Sequence, residues 1–238
     1  MNRIEILGLP LDPVDPETAL GRIEGFLHRP GLDPVVTLNP ELVVRAGADP
    51  ELRTAIARAS LVTPDGVGIL WAARRLAGVP LAERVTGVEL TEALLARFGG
   101  DLRVFFLGGR PGVAERAAAV AARRYRTAVA GFHHGYFRDP EPVLEAIARA
   151  RPDLLLVALG ERQERFVERH RGALEARVAI GVGGTLDVLA GAARRAPAWT
   201  RRLGLEWAWR VGTDPRRWRR GLRLLRFVLE VERAARRS

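Results

Sequence analysis

From residue 101 onward the chain alternates apolar runs with amphipathic segments, and no other feature limits its fold as strongly. "LRVFFLGG" (102–109), "TAVAGFH" (127–133), "DLLLVALG" (153–160) and "ARVAIGVGG" (176–184) are apolar nearly throughout. Between them, residues 111–125, 140–151 and 162–174 read as helices. A strand that is apolar on both faces must be covered on both. Strand–helix–strand alternation provides that cover when the strands run parallel. The expected fold class is therefore α/β, a Rossmann-like and largely parallel sheet flanked by helices.

The first hundred residues extend the pattern. "RIEILG" (3–8), "PVVTLN" (34–39) and "SLVTP" (60–64) read as strands, and residues 16–28, 49–59, 66–78 and 86–100 as helices. Helix starts are marked locally. Asn39-Pro40 and Asp49-Pro50 pair a side chain that accepts a first-turn N–H with a proline that needs no donor there. Thr86 and Glu89 have capping-box spacing.

Three strands end in glycine, at Gly108, Gly160 and Gly183-Gly184. In a parallel sheet, ligands sit beyond the carboxyl ends of strands, where glycine lets backbone approach a phosphate. Glycines also make tight strand-to-helix turns, so these positions alone leave both readings open. The same holds for Asp65 in "LVTPDGVGI" (61–69). Pro-Asp-Gly is a turn sequence, yet it falls at a strand end, where a carboxylate would face substrate.

Charge divides the chain. All 38 basic residues are arginine. Residues 194–238 hold 14 Arg and four acids, a balance of +10, whereas residues 1–193 hold 24 of each and balance to zero. We read residues 1–195 as the catalytic body and 196–238 as a basic, Trp/Arg-rich helical appendage. Within it Trp218, Leu222, Leu225 and Leu229 recur every three or four residues. Arg216, Arg217, Arg219, Arg220, Arg223 and Arg226 take other angles. This is the make-up of a helix lying on an anionic membrane surface, where each Arg contributes about 1 kcal/mol. An apolar stripe packed on the body is the plainer alternative. Nucleic acid is not the expected partner, because no recognition motif accompanies the charge.

Composition excludes several chemistries. Without lysine there is no Schiff base and no Walker phosphate loop, and without cysteine no thiolate or disulfide. His133-His134 lack motif-spaced partners and read as packing or loop residues, and no D-x-D pair occurs, so neither metal nor cofactor is expected. No segment reads as a signal peptide, and no run approaches the ~18 apolar residues of a spanning helix. "FLGGRPG" (106–112) lacks the spacing of a dinucleotide fingerprint. An NAD(P)-dependent oxidoreductase and a basic nucleic-acid-binding α/β module remain as alternatives.

"TLNPEL" (37–42), "TPDGVGI" (63–69), "RVTGVEL" (84–90), "FFLGG" (105–109), "GYF" (135–137), "PDLLLVALG" (152–160) followed by Gln163-Glu164, "GVGGTLDVLAG" (181–191), "RAPAW" (195–199) and "GLEWAWR" (204–210) occur in this order. The ordered set, from about residue 3 to 235, resembles the WecG/TagA/CpsF family of glycosyltransferases. The resemblance implies an inverting, metal-independent enzyme on the cytoplasmic face of the membrane, peripherally attached. It would move an N-acetylmannosamine-type sugar from a UDP donor to GlcNAc on undecaprenyl diphosphate, in teichoic acid or exopolysaccharide assembly. It implies Asp65 as general base and Thr37, Asn39, Arg84 and Gln163 in the substrate pocket. Gly108, Gly160, Gly183, Gly184 and Asp187 are placed with them. The donor diphosphate would rest on Arg84 and on N–H groups after Gly183-Gly184, and the appendage would dock on the membrane and help complete the site. The loop Gly160–Glu164 is one residue shorter than the family's G-x-P-x-Q-E and lacks its proline, and Glu89 stands where relatives often have Asp. The resemblance leaves oligomeric state open, a homo-oligomer included.

Overall fold

The computed structural model of the protein describes residues 2–193 and 218–237. The chain opens with a hairpin of β1 (Ile4–Ile6) and β2 (Leu9–Leu11). Its turn residues Leu7 and Gly8 both have positive φ, 51° and 75°, as a two-residue turn matched to strand twist requires. This pair stands apart from the main sheet.

The main sheet has six strands, all parallel: β3 (Asp33–Leu38), β4 (Leu61–Pro64), β5 (Arg103–Gly108), β6 (Ala128–His133), β7 (Leu154–Ala158) and β8 (Val178–Gly181). Their spatial order is β4-β3-β8-β7-β5-β6, so the last strand in sequence inserts into the middle, between β3 and β7. One row crosses the sheet as Leu61, Val35, Ile180, Leu156 and Phe106. All five are at most 1% exposed. Beneath them pack α1 (Pro16–Leu27), α5 (Gly87–Phe98), α6 (Val113–Tyr125) and the short α9 (Thr185–Leu189). The opposite face carries α2 (Pro40–Ala46), α3 (Pro50–Ala57), α4 (Val67–Ala77), α7 (Glu141–Ala150), α8 (Gln163–Arg169) and α10 (Trp218–Ala235). The α/β expectation and its covered parallel sheet hold. The exception is β6, an edge strand, where Val129 and Phe132 are 38% and 47% exposed.

Element boundaries shift where glycine turns begin. The run 176–184 is strand only to Gly181, and 162–174 is helical only over Gln163–Arg169. The local caps appear as read: Asn39 Oδ1 and Asp49 Oδ1 accept first-turn N–H groups, both at 3.0 Å, and Thr86 exchanges hydrogen bonds with Glu89.

α10 packs on α2 and α4 through Phe227 and Val231, both fully buried. Gly68 makes this junction fit, since a Cβ there would lie 2.7 Å from Pro40 Cγ and 3.6 Å from the Phe227 ring. Glu232 accepts two hydrogen bonds from the Arg75 guanidinium. The stripe read from sequence falls on a different face. Leu222, Leu225 and Leu229 are 66%, 63% and 56% exposed, so the docked helix is apolar on two sides. The helical reading of 197–238 is met over Trp218–Ala235, Arg236 and Arg237 form a turn, and residues 197–217, with Arg216 and Arg217, lie outside the described residues.

Candidate active site

The carboxyl ends of β3, β4, β5, β7 and β8 open into one cleft of about 1090 Å³, closed on one side by Gly221, Leu224 and Val228 of α10. β3 delivers Thr37, whose Oγ1 donates to the Gly181 carbonyl at 3.3 Å, and then Asn39. β4 delivers Asp65. The Asp65 N–H donates to the Leu38 carbonyl at 2.8 Å, which extends the β3–β4 pairing by one rung. Gly66 follows with φ 93°, a conformation that L-residues rarely adopt, and α4 begins at the next residue. The Pro-Asp-Gly turn is thus real, and it is what sets Asp65 on the cleft wall.

The segment before α5 is fastened to the same place. Val85 N–H donates to the Pro64 carbonyl at 2.7 Å, and Thr63 Oγ1 donates to the Val85 carbonyl at 3.3 Å. These bonds hold Arg84 on the wall that carries Asp65. From β7 come Gly160 (φ 61°), Arg162 and Gln163, and from β8 come Gly183, Gly184 and Asp187. Both ends of the Gln163 amide are engaged. Its Oε1 accepts the Gly183 N–H at 3.1 Å, and its Nε2 donates to Glu164 Oε1 at 2.8 Å.

Glu164 is a buried carboxyl group beside this amide. Burial pushes its carboxyl above the ordinary range, against the lowering effect of the Gln163 amide, its own N–H, Arg45 and Arg165. Its Oε2 is buried without a hydrogen-bond partner.

The structure gathers Thr37, Asn39, Asp65, Arg84, Gly160, Gln163, Gly183, Gly184 and Asp187 into the one cleft. Two positions, Gly108 and Arg223, lie otherwise than expected. Gly108 does not line the cleft. A Cβ at Gly108 would lie 2.2 Å from the Ala158 carbonyl oxygen, so this glycine lets β5 and β7 approach, and Gly109 is the residue at the surface. The Gly183 N–H itself is taken by the Gln163 side chain. Arg223 turns inward to pair with Glu41 and Glu161 on the cleft side, drawn by two carboxylates, instead of joining an outer basic face. Arg226 pairs with Glu230 at 2.7 Å along the helix. Trp218, Arg219 and Arg220 belong to α10, but their side chains fall outside the described residues.

Sequence reasoning missed Arg45, Arg110, Arg162 and Trp71, which also line the cleft. Arg110 could have been found, because it directly follows the strand end "FLGG". Among the described residues no group of three His, Cys, Asp or Glu is arranged to hold a metal ion, and no helix is long and apolar enough to cross a membrane.

Residues 4–238 match the model of the glycosyl transferase WecG/TagA/CpsF family. A protein of Bacillus spizizenii named N-acetylglucosaminyldiphosphoundecaprenol N-acetyl-beta-D-mannosaminyltransferase is 36% identical over 83% of this chain and 77% of its own. One of the same name from Staphylococcus aureus is 33% identical over 98% of this chain and 94% of its own. With a match spanning nearly every residue, the chain belongs to the WecG/TagA/CpsF family of glycosyl transferases.

Proposed function

We propose that the protein transfers an N-acetylmannosamine-type residue from a UDP donor to GlcNAc carried on polyprenyl diphosphate, with inversion and without a metal. The observation that carries this reading is the convergence of Thr37 and Asn39 from the end of β3, Asp65 from the end of β4 and Arg84 from the segment before α5 on one cleft. In the proposed step the acceptor hydroxyl attacks the donor's anomeric carbon and gives its proton to Asp65. The carbon–oxygen bond to the diphosphate breaks as the new glycosidic bond forms, and UDP leaves. A single carboxylate suffices, because the acceptor itself is the nucleophile and no covalent intermediate is needed. Arg45, Arg84, Arg110 and Arg162 line the cleft and supply the charge to meet a leaving diphosphate. Presenting UDP-sugars one at a time with a GlcNAc-diphospho-lipid acceptor is expected to give UDP release only with the N-acetylmannosamine donor, only when acceptor is present, and equally in EDTA. UDP release from every donor alike, or activity abolished by EDTA and restored by a divalent ion, overturns the corresponding part.

The same reading places residues 196–238 on the inner, cytoplasmic membrane surface. What supports it is that α10 still exposes Leu222, Leu225 and Leu229 after Phe227 and Val231 have been buried against the body. Replacing the three leucines together by serine should lower binding to anionic vesicles at least about tenfold. The Phe227 contact, and with it the melting temperature, should be little changed. Vesicle binding that is equal in the variant, or equal on neutral lipid, removes the docking role.

A further inference from the structure

We propose that Glu164 is a positioning residue for this site: it carries a proton in the folded protein and holds the Gln163 amide so that its oxygen receives the Gly183 N–H. The inference rests on the functional reading above only for its consequence in catalysis. An amide side chain has two nearly isosteric ends, and rotation would present a donor to Gly183 in place of an acceptor. With the proton on Oε2, Oε1 of Glu164 can only accept, and its 2.8 Å contact with Gln163 Nε2 then selects the orientation together with the Gly183 N–H. The selected Oε1 then fixes the Gly183 N–H at 3.1 Å, and with it the turn between β8 and α9 that lines the cleft. The space is tight. A Cβ on Gly181 would fall 2.7 Å from Gln163 Nε2 and 3.3 Å from Glu164 Oε1.

The surroundings favour the neutral acid. Glu164 is 7% exposed and its Oε2 has no partner, a tolerable loss for a carboxyl group but a severe one for a carboxylate. The cations whose fields reach it are Arg45 of α2 and Arg165 of its own helix. Both are engaged elsewhere, Arg45 with the Glu161 backbone and Arg165 with Asp49 at 2.8 Å. Glu168, one turn on, is held by Arg58 and Arg171.

Two measurements test this, and the first does not depend on the reaction. A group whose proton is held more tightly in the folded state loses its stabilising contribution as pH rises above the ordinary carboxyl value of 4.5. Glu164→Gln cannot ionise, so its stability relative to wild type should grow with pH, by up to about tenfold in the folding equilibrium per pH unit. Other titrating groups cancel in the difference. A difference that is flat with pH, or that favours wild type at high pH, means an ionised Glu164 and overturns the proposal. The second is a kinetic cycle in the transferase assay. Glu164→Gln should keep kcat within about threefold, while Glu164→Ala and Gln163→Ala should each lower it, with the double variant no worse than the weaker single. Additive losses overturn the positioning role. If no transfer is detected at all, the functional reading fails while the pH–stability result still decides the proton.

Discussion

Asp65→Asn should lower kcat at least about a hundredfold while leaving donor affinity within about threefold, because a base contributes to the transition state and little to ground-state binding. The substitution is informative because asparagine is nearly isosteric with aspartate and the backbone here has anchors of its own. Asp65 is held by its own N–H to the Leu38 carbonyl and by the positive-φ turn at Gly66. The asparagine variant keeps both, so it should remain folded, which its melting temperature checks. Steady-state kinetics with the GlcNAc-diphospho-lipid acceptor, set beside UDP titration by calorimetry, makes the comparison. A variant as active as wild type would remove Asp65 from the chemistry and return it to a turn residue.

The largest expected loss of stability comes from a single methyl group. Gly108→Ala places a Cβ 2.2 Å from the Ala158 carbonyl oxygen and 2.8 Å from its Cα, both backbone atoms that cannot swing away. It also forces φ 131° on an L-residue. Overpacking and backbone strain together should destabilise by about 3–5 kcal/mol. For a chain of this size that lowers the melting temperature by about 10 °C or more. Chemical unfolding at constant pH measures it. A variant that unfolds like wild type but has lost UDP binding would reverse the assignment and make Gly108 a ligand contact.

Local signals were legible in the sequence, and pairwise geometry was not. Asn39-Pro40, Asp49-Pro50 and Thr86/Glu89 announce their caps because a cap is decided within four residues. The parallel sheet was legible because Leu154–Ala158 and Val178–Gly181 are apolar on both faces. The place of β8 inside the sheet was not, since order among strands is a tertiary choice that no short window records. Gly108 and Gly109 look alike at a strand end, and only the neighbouring strand's carbonyl tells which one is pressed against it. The exposed stripe of α10 was read correctly as apolar, but its second face, Phe227 and Val231, became visible only with the body beneath it. Arg223 was assigned by composition, and its partners Glu41 and Glu161 are 182 and 62 positions away, out of reach of any periodicity.

The insertion of β8 between β3 and β7 also has a consequence for biogenesis. Without β8 the strand order leaves β3–β4 and β7-β5-β6 unconnected, with Asp65 following a strand of the first and Gln163 a strand of the second. Such open edges are where a nascent chain is most exposed to mispairing. β8 is the strand that pairs with both halves, so the two residues share one cleft only when it is in place. Substitutions that weaken β8 pairing should therefore show first as poor yield of folded chain from synthesis, before any fault appears in the enzyme that does mature.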